Sequence, residues 1–196
     1  MRVAISGSHS LGKSTFVKDF LNTHLDYAFE EEPYRALMRQ HDIKFAEDQT
    51  QRHIMLQLNH SIEHISQYSL GSKVICDRCP ADYIPYASYS VPYGRQDIDD
   101  NFIKSLYPLI KSSLEHLDLI VFIPISEEHP IDLENDGHRP THAVYREWVD
   151  AAFKKLYREN LGSIISGNTT KLIEIVGDRQ ERLKKLNEVL SSICSE

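Results

Sequence analysis

The ten residues SGSHSLGKST, 6–15, restrict what this chain can fold into more than any other stretch. Gly7, Gly12, Lys13 and Ser14 read G-x-x-x-x-G-K-S, between the apolar run VAIS and the helically spaced FVKDFLNTHL. A strand, a glycine-rich turn and a helix in that order make a cage for phosphate. The glycines let the main chain turn its NH groups inward, and the helix start adds a positive dipole end. Gly7, Ser8, His9, Ser10, Leu11 and Gly12 supply the cage. Lys13 is placed to reach the outer phosphates, Ser14 to hold magnesium through its hydroxyl, and Thr15 to meet an inner phosphate. The His9 ring could also touch a phosphate, although its backbone is enough for the cage. The spacing does not fit the dinucleotide pattern G-x-G-x-x-G, so the expected ligand is a nucleoside triphosphate carried with Mg2+.

Apolar strands alternate with helical segments along the rest of the chain, which predicts a parallel sheet covered on both faces. The five expected strands are RVAIS, YAFEEE, KVICDR, LDLIVFIPIS and KLIEIVG. RVAIS should be central because it carries the phosphate loop. Helices are expected over residues 46–68, over 99–117 with a bend at Pro108, over 143–160 with Trp148, Ala152 and Leu156 on one face, and from Arg179 onward. The expected fold is α/β, three layers of the P-loop NTPase type with a mostly parallel, about five-stranded sheet. Its 196 residues, 41% of them apolar, suit one domain spanning 1–196. An irregular stretch of about twenty residues, within 127–145, reads as a lid. It holds Arg139, and Arg146 follows on the next helix, so either could bring a guanidinium to a transferring group.

The formal charge of −7, with no basic block, argues against nucleic acid or an anionic membrane as partner. The chain opens directly on a strand, and its longest apolar run is too short to span a bilayer, so a cytoplasmic protein is expected. Three cysteines do not make a disulfide framework. Cys76 and Cys79 form a C-x-x-C without a second pair. Of the ten histidines, His60 with His64 and His138 with His142 have helical spacing, but two ligands do not complete a structural zinc site.

Catalytic candidates are the charged residues at strand ends, where open α/β sheets collect their chemistry. Asp77 can hold the magnesium or its water, and Arg78 beside it can steer a substrate oxygen. Glu32 can accept the proton of an attacking hydroxyl, with Glu31 facing away by strand alternation, and Arg35 lies on the same approach. Tyr83 and Tyr86 could stack on a base. Gly177 and Asp178 follow the last strand, beside the place where this fold class seats an adenine.

The phosphate loop, EEPYR at 31–35 and CDRCPADYIPYA at 76–87 together resemble the deoxynucleoside kinase and thymidylate kinase families. DGHRP at 136–140 and GDRQERL at 177–183 are similar to the nicotinamide riboside kinase type and to ATPase-like domains near it. The resemblance implies ATP as donor, Glu32 as base, Asp77 and Arg78 as the strand-end pair and Arg139 as a lid arginine. Glu31 stands where thymidylate kinases usually carry an arginine, and Cys79 where a serine is common. Two functions follow. One is an ATP- and magnesium-dependent phosphotransferase acting on a small hydroxylated acceptor: a nucleoside, nucleoside monophosphate or pyridine riboside. The other is an ATP-binding switch or ATPase acting on a partner protein. Either is compatible with a homodimer.

Overall fold

The structure is a computed structural model, described here for residues 1–38, 48–93, 97–131, 143–165, 167 and 169–193. Five strands form one parallel sheet: β1 (Arg2–Ser6), β2 (Ala28–Glu30), β3 (Val74–Asp77), β4 (Leu119–Phe122) and β5 (Lys171–Glu174), in the order β2-β3-β1-β4-β5. β1, β3 and β4 are buried along their whole length. This is why they read as unbroken apolar runs, as strands covered on both faces must.

The sheet's alternation sorts its side chains between two cores. Val3, Ile5, Ile75, Leu119 and Val121 point to α1 (Lys13–Thr23) and α7 (Arg179–Ile193), meeting Phe16, Phe20, Leu186 and Leu190. Ala4, Cys76, Ile120 and Phe122 point to the opposite face. There α3 (Gln51–Ser66), α4 (Tyr83–Ser90), α5 (Asp100–Ser113) and α6 (Ala143–Arg158) cover them. Among the described residues no helix is long and apolar enough to cross a membrane.

Several elements differ from their expected bounds, each for a local reason. β2 stops at Glu30, because Glu32 is already the N-cap of the short helix α2 (Pro33–Leu37), with Pro33 at its first position. β4 stops at Phe122, two residues before Pro124, which has no NH for the ladder. α3 starts at Gln51 because Thr50 and His53 form a reciprocal cap. α5 runs through Pro108 and passes at Leu114 into a 3-10 turn. On α6 the fully buried stripe is Tyr145, Val149, Phe153 and Leu156, with Trp148 and Ala152 at its margin.

Phe153 stacks on Phe122 at 6.0 Å and meets the edge of Tyr86 at 5.9 Å, and it is wholly buried. Phe153→Ala is expected to destabilise the protein by about 3–5 kcal/mol, read by urea unfolding. A loss below about 1 kcal/mol would show that α6 is not seated on the sheet as described.

Candidate functional site

β1 ends at Ser6 and the chain turns through the phosphate loop into α1. Gly7 has φ 139°, and a Cβ there would lie 2.3 Å from the carbonyl oxygen of Ile123, so the loop passes too close to β4 for any side chain. Gly12 caps α1 in the left-handed region at φ 72°. The loop is also tied to α6: Ser8 Oγ donates to the Arg146 carbonyl at 3.2 Å, and the buried His9 ring stacks on Tyr145 at 5.0 Å.

Lys13 is buried, and its Nζ donates to the Ser8 carbonyl. Burial first and Arg78 second push its ammonium down to about 7, against the pull of Asp77, Asp82 and Glu32. The Ser14 hydroxyl donates to Asp77 Oδ2 at 2.5 Å, so the two oxygens expected at the magnesium are neighbours. Among the described residues no group of three or more His, Cys, Asp or Glu forms a protein cage for a metal. One hydroxyl beside one carboxylate is a donor set that fits Mg2+, which keeps most of its waters and takes phosphate oxygens with few protein ligands.

Arg78 follows the end of β3 with φ 138°, an uncommon backbone for a side-chain-bearing residue, and its guanidinium is buried. Its Nε donates to Glu32 Oε1 at 3.0 Å. Its Nη1 donates to the Gly7 carbonyl at 2.9 Å, to Tyr86 OH at 2.9 Å and, more weakly, to Asp82 Oδ2 at 3.4 Å. Glu32 is buried and also accepts from Arg35 Nε at 3.3 Å, whereas Glu31 is exposed. Lys13, Ser14, Glu32, Arg35, Asp77 and Arg78 line one cavity of about 210 Å³. A second cavity of about 400 Å³ lies on the β5 side of Gly12 and Thr15, walled by His129, Pro130, Gly177 and Asp178.

Not every expected residue reaches these cavities. Tyr83 is buried in the core, where burial pushes its hydroxyl far up, and it lines neither cavity. Tyr86 enters the site through its hydroxyl on Arg78 rather than through an open ring face. Arg139, with His138 and His142, lies outside the described residues. Arg146 Nη1 donates to the Ile131 carbonyl at 2.8 Å. His60 lies tilted against His64, which bonds Glu30 at 2.8 Å, and Cys76 and Cys79 are buried free thiols.

Two buried charges were missed by sequence reasoning. Arg182 donates to the carbonyls of Gly177 and Leu11, both at 2.8 Å, and so joins the β5 loop to the phosphate loop. Its signal was available: Arg182, Leu186 and Leu190 share one helix face, and an arginine on an apolar stripe needs a partner. Asp82 is fully buried inside the otherwise apolar stretch CPADYIPYA, and it accepts from Ser6 Oγ at 2.5 Å.

A family model described as AAA domain matches residues 2–182. The chain belongs to that family. No curated protein matches the sequence. Among solved structures, deoxyadenosine kinase from M. mycoides with products dCMP and dCDP matches over 98% of this chain and 100% of its own, at 15% identity and TM-score 0.65. The NadR protein in complex with NR matches over 95% of this chain at 17% identity and TM-score 0.63, and this chain spans 50% of it. This AAA-family chain therefore has the P-loop nucleoside kinase-like fold.

Between pH 7 and about 10 the unfolded Lys13 holds a proton that the folded one lacks, so this group makes the unliganded protein more stable as pH rises through that window. An anion on the loop reverses the bias. Binding of inorganic sulfate, which has no proton of its own to lose at pH 8, is therefore expected to take up a proton, measured as a binding heat that depends on the ionisation enthalpy of the buffer. The dependence should vanish in Lys13→Met; a buffer-independent heat in the parent would contradict the assignment.

Proposed function

We propose that the protein is an ATP- and magnesium-dependent phosphotransferase acting on a small hydroxylated acceptor: a nucleoside, a nucleoside monophosphate or a pyridine riboside. The observation that carries this reading is that the Glu32 carboxylate lines the same cavity as Lys13, Ser14 and Asp77. A base and a phosphate grip facing one chamber suit transfer to an alcohol. The similar structures include a deoxyadenosine kinase with deoxynucleotide products and the NadR protein in complex with NR, which agrees with an acceptor of nucleoside type.

In this reading residues 1–196 act as one domain with a lid over 127–145, and Arg139 belongs to that lid. The loop from Gly7 to Thr15 holds the triphosphate, and the β5-side cavity with Gly177 and Asp178 takes the adenine. Glu32 receives the acceptor's hydroxyl proton as the new oxygen–phosphorus bond forms and the bond to the ADP oxygen breaks. Lys13 and Arg78 balance the charge on the phosphoryl oxygens, and Arg35 orients the acceptor. Magnesium, held at Ser14 and Asp77, would neutralise phosphate charge.

Membership of an AAA domain family supports the second reading, an ATP-driven switch that acts on a partner protein. One assay separates them: the purified protein with magnesium-ATP and pooled nucleosides, nucleoside monophosphates and pyridine ribosides, with ADP followed against new phosphorylated product. ADP matched by product supports transfer; ADP without product supports the switch. Under transfer, Glu32→Gln is expected to lower kcat by about 10²- to 10⁴-fold. Lys13→Ala should lower it further, because positioning and charge stabilisation together contribute more than one base. Near-parental turnover by Lys13→Ala would refute the phosphate role.

A further inference from the structure

We propose that Asp82 is a positioning residue of this site, holding Arg78 from the core in the one arrangement that lets it grip Glu32 and the Gly7 carbonyl together. Asp82 touches neither cavity. It opens α4 from a 3-10 turn, Pro80–Asp82, and is wholly buried behind the end of β1. One carboxylate oxygen accepts from Ser6 Oγ at 2.5 Å, and Ser6 Oγ in turn lies 2.8 Å from Tyr157 OH. The other accepts from Arg78 Nη1 at 3.4 Å.

The geometry explains why a buried acid is placed there. Arg78 stands on a φ of 138°, and its guanidinium must span Glu32 on α2's cap, the Gly7 carbonyl and Tyr86 on α4. Those acceptors alone would leave the fork free to follow Glu32. Asp82, fixed by Ser6 and Tyr157, anchors the opposite side of the fork to β1 and α6, so the direction of Arg78 is set by the rigid sheet rather than by the ligand. An uncompensated buried carboxylate is expensive, and its persistence beside two cations is what an anchor requires. The charged or titratable groups facing Asp82 are Arg78 and Cys79 at the end of β3, Lys13 on α1, Tyr83 and Tyr86 on α4 and Tyr157 on α6. Burial raises Asp82 to about 6, while Arg78 and Ser6 pull it down. The anchor acts in its ionised form. Between about pH 4 and 6 the unfolded carboxyl has lost its proton while the folded one keeps it, so this group lowers stability as pH rises through that window, and the ionised anchor forms as pH passes through about 6.

The proposal rests on the phosphotransferase reading only for its kinetic arm. In Asp82→Asn, which keeps shape and the Ser6 contact, kcat is expected to fall about 10- to 100-fold with the KM for ATP changed less than about threefold. The fall in kcat toward acid, centred near pH 6 in the parent, should disappear. The second arm needs no turnover: in uniformly labelled protein the Arg78 Nε–Hε resonance should shift through pH 6 in the parent and stay fixed in Asp82→Asn, with Ser6→Ala moving the midpoint upward. A parent without transfer activity but with the titrating resonance overturns the phosphotransferase reading and keeps the anchor. Parental kcat and pH profile in a folded Asp82→Asn, or an Arg78 resonance that titrates identically in both proteins, overturns the anchor.

Discussion

The guanidinium of Arg78 is buried between four acceptors, and the arrangement of the site depends on that. A cation taken out of water is tolerated only where carboxylates and carbonyls replace its hydration. Glu32, Asp82, Tyr86 and the Gly7 carbonyl do so here, drawn from the cap of α2, from α4 and its start, and from the phosphate loop. Each acceptor is thereby placed relative to the others. The phosphate loop is fixed to β3 through Gly7, α2 through Glu32, and α4 through both Tyr86 and Asp82. Lys13 then enters a field that already holds one buried cation, which is one reason its ammonium sits far below its ordinary range.

The topology supplies the room in which this cluster sits. β1 lies between β3 and β4, so the chain leaves the central strand with one neighbour reached on each side. Such a reversal opens a crevice at the carboxyl ends of the strands. The phosphate loop occupies it and divides it. The chamber on the β3 side is lined by charge from α2 and β3, and the chamber on the β5 side by Gly177, Asp178 and the segment after β4. Gly7 can run along this divide because nothing projects from its Cα toward Ile123. Arg182 holds the far wall by bonding Leu11 and Gly177, so both chambers are tied to one loop by two buried arginines distant in sequence.

The sheet and the loop were legible in the sequence because each depends on short-range pattern. Buried strands are unbroken apolar runs, and four residues at fixed spacing define the phosphate turn. Strand ends were less legible. Whether β2 ended at Glu30 or Glu32 was decided by Pro33 opening a helix, a contest between strand and cap propensities over two residues. The site was legible as a set of charged residue types at strand ends, and Lys13, Ser14, Glu32, Arg35, Asp77 and Arg78 do converge on one cavity. What could not be read was direction. Tyr83 and Tyr86 are three residues apart on a short helix, yet one is consumed by the core and the other by Arg78. Asp82 and Arg182 act through contacts 76 and 171 residues away in sequence, which no local pattern encodes.

The polar groups of the site are paired with one another. Ser14 already meets Asp77, Glu32 already meets Arg78, and Lys13 already donates to its own loop. A polyphosphate would exchange these internal partners for its own oxygens. The exchange is uneven, however. Lys13 gains a directly bonded anion where it donates to a carbonyl, whereas Arg78 already has carboxylate partners to give up. The net electrostatic gain should therefore be concentrated at Lys13, and Arg78 should serve chiefly as the fixed frame against which the phosphate is held.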